Sequence, residues 1–365
     1  MNLHFHRRLL AACALVSFLN VAAAADSAQA DLIVDTQAAG PRIDPDIYGQ
    51  FAEQLGAGIY GGLWVGPESP IPNTRGWRKD VVQALRRLEV PVVRWPGGCF
   101  ADDYDWRDGI GDPAKRPVRL NRWWGGVPES NRVGTHEFMD LAEQLGAEVV
   151  IAGNMGSMSP RDLSQWLEYM TAAGPSALTD ERRRNGRDKP WKVKYIGVGN
   201  ESWGCGGNMR PEYQADLHNR YATFLNNGAL RIASGDGTGN DHLIEVLMER
   251  SMAQMDALTL HYYTMPGDWK KKGSATGFDA GEWAHTLKVA RGIEGRIAAI
   301  EAIMDKHDPQ RRVGLFVDEW GTWYDTEPGA NPGFLYQQNT LRDALVAALT
   351  LDVFQRHTER VRMTS

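Results

Sequence analysis

Cysteine is scarce in this sequence, with three residues, Cys13, Cys99 and Cys205, spread over 365 positions. The nine histidines are scattered without an H-E-x-x-H or other paired-ligand spacing, and the cysteines lie far apart, so no metal site is implied. There is no excess of positive charge. Forty basic against 46 acidic residues give a formal charge of −6, which favours no polyanionic partner such as nucleic acid. No G-x-S-x-G is present, so a serine hydrolase has no nucleophile elbow. The glycine-rich SGDGTGN at 234–240 lacks both the phosphate-loop Lys-Ser/Thr and the dinucleotide spacing, and no cofactor is expected. The basic runs ERRRNGRDK and WKKKG fall between elements and read as solvated loops.

Long hydrophobic runs are also missing, with one short exception at the start. His6-Arg7-Arg8, the apolar LLAACALVSFL and then VAAAAD, with small residues around Ala24-Ala25, have the order of a secretory signal peptide. The run is too short to span a membrane. Residues 1–25 are therefore expected to be a signal peptide, 26–45 an N-terminal strand belonging to another sheet, and 46–365 the catalytic body. Such a leader predicts a secreted or periplasmic protein, a setting that permits disulfides. The spacing of Cys99 and Cys205 does not say whether they bond.

What the sequence has in quantity is apolar residues, 42% of the total, and 13 tryptophans. That supply fills a large core, and flat indole faces also pack on sugar rings. From Ile47 onward, short β-rich runs alternate with segments at helical spacing. The runs are 47–53, 91–98, 147–154, 192–201, 229–237, 255–263 and 312–320. Between them, Val81, Ala84, Leu85 and Leu88 share one helical face, Ser159-Pro160 opens a helix, and a last helix covers roughly 335–357. Alternation with apolar strand centres predicts a parallel sheet covered by helices.

Polar and aromatic residues gather at the C-terminal ends of these runs: Glu53, Arg94, Asn154, Asn200-Glu201, His261-Tyr263 and Asp318-Glu319. Both a doubly wound sheet and a (β/α)8 TIM barrel bind ligands there. Chemistry at the end of nearly every strand fits the ring better, so the α/β fold expected is the barrel. Seven strands are counted, and the chain ends in RVRMTS, where an eighth is only starting. The barrel is thus expected to lack its eighth strand.

Glu201 and Glu319 each follow a β-rich run and each precede a tryptophan, Trp203 and Trp320. Strands four and seven face each other across a barrel mouth, and two carboxylates facing across a pocket suit glycosidic bond cleavage. The plainer reading of either residue alone is a salt-bridged or solvated glutamate. His261 and Tyr263 are placed to donate to Glu319 and keep it ionised. Glu201 beside Trp203 suits a group that must hold a proton. Glu53 and Arg94 read most simply as a structural ion pair. Asn200 is placed to hydrogen-bond a hydroxyl beside the reacting carbon.

RWPGGCFADDYDWRDGIG, GVGNESWGCGGNM, LTLHYYT and VDEWGTWYDTEPGANPGFLYQQNTLRDAL together closely resemble the α-L-arabinofuranosidases of glycoside hydrolase family 51. The likeness runs from about Asp31 to Met363. It implies that Glu201 is the acid/base and Glu319 the nucleophile of an exo-acting, retaining hydrolase. Its substrates would be arabinan- or arabinoxylan-type polymers, within hemicellulose degradation and L-arabinose metabolism. It also implies substrate contacts for Glu53, Arg94, Cys99, Asn200, His261, Tyr263 and Trp320, and a Cys99–Cys205 disulfide. Members commonly form homo-oligomers and continue into an eighth strand and a C-terminal β-sandwich, against which this chain reads as truncated. Two other readings stay open: a different retaining glycosidase on the same barrel, such as an endoglucanase or xylosidase, or an inactive fragment.

Overall fold

The computed structural model describes residues 31–365. The expected signal peptide over 1–25 lies outside the described residues. Residues 31–40 belong to a unit of their own. They are extended apart from one turn in which Asp35 accepts from the amides of Gln37 and Ala38. No strand is formed in the described part of 26–45, and Leu32, Ile33 and Val34 are exposed there.

From Pro41 to Ser365 the chain is built on one sheet of eight parallel strands that neighbour each other in sequence order. They are β1 (Gln50–Phe51), β2 (Val92–Trp95), β3 (Glu148–Gly153), β4 (Tyr195–Val198), β5 (Leu230–Asp236), β6 (Ala257–Thr264), β7 (Gly314–Thr322) and β8 (Val361–Thr364). A doubly wound sheet reverses strand order at a switch point. Here the order never reverses, which is the winding of a (β/α)8 barrel. Val92, Val150, Tyr195, Ile232, Ala257, Phe316 and Met363, one from each of β2 to β8, form a single interior cluster. Two larger apolar clusters lie between the sheet and the helices.

The eighth strand is present, which corrects the expectation that it is missing. Val361 pairs with Leu315 and Met363 with Phe316, and the Thr364 hydroxyl donates to the Ile47 carbonyl at 2.6 Å. A Cβ on Gly49 would stand 2.5 Å from the Thr364 carbonyl oxygen, so a glycine is needed where β8 meets the segment entering β1. Its own pattern is weak because Arg362 and Thr364 are polar, and its partners Leu315, Phe316 and Ile47 are distant in sequence.

Helix ends follow local chemistry. Ser159 caps the helix Pro160–Thr171 by accepting from the Asp162 amide, and Asp162 reaches back to the Ser159 amide. The final helix, Leu341–Arg356, begins at Thr340 with the same reciprocal arrangement through Asp343. Between β6 and β7 the chain forms two helices, Ala280–Ala290 and Gly292–His307.

Arg360, fully buried just before β8, places its guanidinium on the Asp308 carboxylate at 2.8 Å and on the Val313 and Asp308 carbonyls at 2.8 and 2.6 Å. It also bonds Asp305 at 2.7 Å. Removing one partner of such a pair leaves an uncompensated buried charge, at a cost of about 3–5 kcal/mol. Arg360→Ala is therefore expected to lower unfolding stability by about that amount, read from the urea midpoint. A change under about 1 kcal/mol would show that β8 is held in place by its ladder alone.

Candidate active site

After β4 the chain turns sharply, with φ +82° at Gly199 and +40° at Glu201. Left-handed backbone is unusual for a residue with a side chain and persists only where neighbours over-determine it. Here Asn200 donates its amide to Asp102 at 2.6 Å, Ser202 donates its amide to Ser234 at 3.2 Å, and the Glu201 carbonyl accepts from Gly204 and Gly206. Asp102 also accepts from the Met155 and Gly156 amides at 2.7 and 2.8 Å. Burial pushes its carboxyl up to about 7 despite these three N–H groups. The turn delivers the Asn200 and Glu201 side chains to the barrel mouth.

Arg94, from β2, lies at the centre of the mouth. One guanidinium nitrogen bonds Glu319 at 2.9 Å and the Asp318 carbonyl at 3.1 Å, and the other bonds the Asn200 side-chain oxygen at 2.7 Å. The Asp318 carboxylate stands 3.3 Å from Nε, and the Phe51 ring lies 4.3 Å from the guanidinium carbon. Arg94 therefore pairs with the acids of β7 and not directly with Glu53, as the simple ion-pair reading had it. Both acids of β7 face inward because the β6–β7 register slips between Thr259 and His261, a bulge that turns two successive side chains toward the same face.

Tyr263 donates to Glu319 Oε2 at 2.5 Å. His261 was expected beside Glu319, but its Nδ1 is closer to Glu201, at 2.8 Å against 3.4 Å, while Nε2 faces Asp318 at 3.2 Å. Burial alone would strip the proton from this imidazole. The charges of Glu319 and Asp318, with hydrogen bonds to Asp318 and Glu201, outweigh burial and hold its pKa well above the ordinary histidine value. Burial likewise works against ionised Asp318, but Arg94 and His261 prevail and lower its pKa. The closest arrangement of Glu201, His261 and Glu319 puts one side-chain atom of each within 4.8 Å of the others.

Glu53 follows β1 and accepts from the Gly98 and Phe100 amides at 2.8 and 3.2 Å. The Pro96-Gly97-Gly98 turn has no room for side chains. A Cβ on Gly97 would stand 2.6 Å from Glu53 Cγ, and one on Gly98 would stand 2.6 Å from Glu319 Oε1. Cys99 follows directly and is bonded to Cys205, joining the loops after β2 and β4.

Of these residues, Glu53, Cys99, Glu201, Tyr263 and Glu319 line a cavity of about 390 Å³, whereas Arg94, Asn200 and His261 are buried outside its lining. Its remaining walls include Trp124, Trp323, Leu335 and Gln337, none of which was singled out from the sequence. Trp320 was expected to contact substrate, but it packs edge-on against Phe354 at 5.2 Å, on the helix side of β7. Strand alternation carries the signal: with Glu319 turned inward, the next residue points out. Trp203 packs against Gly237, where a Cβ would stand 2.7 Å from its ring.

Burial, then the charge of Glu319, raises the Glu53 carboxyl to about 7 against hydrogen bonds that lower it. The folded protein thus holds a proton on Glu53 after the unfolded chain has lost it at its ordinary 4.5. Stability must fall as pH rises from about 4.5 to 7, by no more than about 3 kcal/mol from this group. Glu53→Gln should remove that part of the slope and be more stable than the parent at pH 8. Parallel urea titrations across this window, giving the same slope for both proteins, would refute it.

The family model described as "Alpha-L-arabinofuranosidase 1 domain" matches residues 84–279. The one described as "Alpha-L-arabinofuranosidase C-terminal domain" matches 318–365, which here run from the end of β7 through the last helix to β8. The chain is 53% identical over 327 residues to an "Intracellular exo-alpha-L-arabinofuranosidase" of Bacteroides ovatus, covering 88% of this chain and 64% of the relative. Among solved structures, the GH51 arabinofuranosidase of Xanthomonas axonopodis pv. citri superposes with a TM-score of 0.89 at 56% identity, over 90% of this chain and 68% of that one. The α-L-arabinofuranosidase of Thermotoga maritima, solved as an arabinose complex, gives 0.78 at 30% identity, over 88% and 64%. The chain thus spans about two thirds of the length of the curated relatives it matches, 64% and 65% for two of them. The expectation of a secreted or periplasmic protein is overturned by the Bacteroides relative, which is named as intracellular. With the family model covering more than half of its residues and its fold in agreement, the chain belongs to the α-L-arabinofuranosidases of glycoside hydrolase family 51.

Proposed function

We propose that this chain is an exo-acting hydrolase that releases terminal non-reducing α-L-arabinofuranosyl groups with retained configuration. One observation carries the reading: a Glu201 atom and a Glu319 atom of the carboxylates approach within 4.8 Å in a compact pocket. Retaining glycosidases hold their two carboxyl groups about 5–5.5 Å apart, whereas inverting ones leave about 6.5–9.5 Å for a water.

Glu319 is the nucleophile in this reading. Two donors, Arg94 and Tyr263, engage its two oxygens and hold the carboxylate in place. It attacks the anomeric carbon as Glu201 gives its proton to the departing glycosidic oxygen. Glu201 then takes a proton from water, which displaces Glu319 and frees arabinose. Arg94 occupies the Asn200 oxygen, which leaves the Asn200 amide NH₂ to bond the hydroxyl beside the reacting carbon. Glu53, with a pKa of about 7, can donate to one sugar hydroxyl and accept from another. Cys99, Trp323 and Tyr263 supply walls for the ring.

A cavity of about 390 Å³ sits at the small end of ligand pockets and suits one terminal sugar better than a polymer threaded through a groove. That favours the exo reading over an endoglucanase on the same barrel. Arabinan- and arabinoxylan-type chains are the substrates it implies. Assembly into a homo-oligomer belongs to the same reading and is open to light scattering.

The wild-type chain should release nitrophenol from 4-nitrophenyl α-L-arabinofuranoside. Glu319→Ala should lower kcat by about 10⁴-fold or more, the scale of losing a covalent nucleophile. With azide present, Glu201→Ala should yield the α-configured arabinofuranosyl azide and Glu319→Ala the inverted one. The opposite stereochemical pairing would exchange the two roles, and no turnover by the wild-type chain would reject the activity.

A further inference from the structure

Outside the reaction itself, one cluster in the pocket has chemistry that glycoside cleavage does not use. The Cys205 sulfur lies 3.4 Å and the Cys99 sulfur 3.9 Å from the same oxygen of Glu201, Oε2. One ligand atom from each of the three residues falls within 4.8 Å of the others. We propose that Cys99 and Cys205, once reduced, form with Glu201 a binding site for a thiophilic divalent cation such as zinc or cadmium.

Tetrahedral zinc takes sulfur at about 2.3 Å and carboxylate oxygen at about 2.0–2.2 Å. The carboxylate already stands near both sulfurs, and the cysteine Cα atoms are 5.5 Å apart. A modest side-chain rotation therefore opens the ligand set without moving the backbone. The orienting groups that metal sites require are also in place. His261 Nδ1 is 2.8 Å from the other Glu201 oxygen, and the Asn200 side-chain nitrogen is 3.9 Å from the Cys205 sulfur. All three ligand residues are partly exposed, so a reductant and an ion can reach them from the pocket.

The backbone around each cysteine is held without help from the disulfide. Gly98 and Phe100, on either side of Cys99, both donate amides to Glu53. Gly204 and Gly206, on either side of Cys205, both donate amides to the Glu201 carbonyl. Breaking the S–S bond therefore leaves two thiols facing one carboxylate. Sequence spacing could not show this, because 106 residues separate the cysteines and only the barrel brings the β2 and β4 loops together.

The chemistry balances with a named reductant. A dithiol gives two electrons and two protons to the disulfide and is itself oxidised to a disulfide. The cation then displaces both thiol protons to solvent, Glu201 supplies an oxygen, and water completes the shell. A cation there occupies the Glu201 lone pair needed for proton transfer. That consequence rests on the proposed function; the binding does not.

The test uses the full chain with Cys13→Ser, oxidised and phosphine-reduced, titrated with cadmium while the thiolate-to-metal ultraviolet band is followed. The reduced protein should bind one equivalent and the oxidised protein none. Cys99→Ser and Cys205→Ser should each abolish the two-thiolate band, and Glu201→Gln should weaken affinity about tenfold or more while keeping the band. Equal uptake by the oxidised form, uptake that survives Cys99→Ser, or no uptake by a natively folded dithiol would each overturn the proposal. Loss of the near-ultraviolet circular dichroism on reduction would overturn it too, because the loops must hold without the bond. If the site forms, zinc should stop arabinofuranoside hydrolysis only after reduction, and a chelator should restore it. Cadmium binding by a chain that never hydrolyses the substrate would reject the proposed function and leave this site standing.

Discussion

Arg94 carries its guanidinium into the middle of the barrel mouth with 2% of its surface exposed, and polar groups from two other elements are arranged around its charge. A buried cation is tolerated only when its donors are matched and its charge is answered. Glu319, Asp318 and Asn200 do this from β7 and the turn after β4, while the Phe51 ring covers one face. Because a single rigid fork reaches all three, its geometry fixes where the Glu319 oxygens and the Asn200 amide stand relative to each other. Burial opposes the ionised guanidinium, but the charges of Asp318 and Glu319 more than offset it and raise its pKa. The same fork that neutralises the cluster therefore sets the spacing of the chemistry.

Distances at the other side of the pocket are set by the backbone. Gly97 and Gly98 are glycines because Glu53 and Glu319 occupy the space where their Cβ atoms would stand. The left-handed turn at Gly199 and Glu201 is held by Asp102, whose carboxylate accepts three amides from two different loops. Arg94 fixes side chains, Asp102 fixes loops, and Glu201 is positioned where the two constraints meet. This division explains why two carboxylates can stand close in a site that also contains the negative Asp318. Each is bound to a framework that does not relax when the pocket changes its charge.

The other seven strand runs were legible in the sequence because buried parallel strands must be apolar almost throughout and their chemistry can only collect at the ends. Glu53, Arg94, Glu201, Tyr263 and Glu319 were legible for the same reason, whereas Cys99 came only from the family resemblance; the structure brings all six to one mouth. Four-residue β8 was not legible. Its identity lies in long-range contacts with Leu315, Phe316 and Ile47, not in its own pattern. His261 was read toward Glu319 because strand order alone makes them neighbours. The bulge between Thr259 and His261 sets its nearer contact to Glu201, and a one-residue slip leaves no periodic trace. Trp124, Trp323 and Leu335 belong to loops, and no periodicity says which loop residue will face a pocket.

The tryptophans show how the rest of the molecule meets the cost of this site. Buried carboxyls such as Glu53 and Asp102, with pKa values near 7, are a standing destabilisation at neutral pH, which functional sites commonly carry. Directly behind the β2 and β3 loops that hold those carboxyls, Trp95 stacks on Phe138 at 5.0 Å and Trp106 on Trp166 at 6.3 Å, with Tyr104 packed between them. Large rings bury the most apolar area per ordered side chain and add favourable ring geometry, so the densest aromatic packing supports the loops with the most to hold. Trp77, Trp95 and Trp106 are fully buried, whereas Trp124 and Trp323 face the cavity. The tryptophans thus divide by position into core rings and cavity walls. The core rings keep the loops rigid, and that rigidity holds the two half-buried rings, Trp124 and Trp323, in place as walls of the cavity.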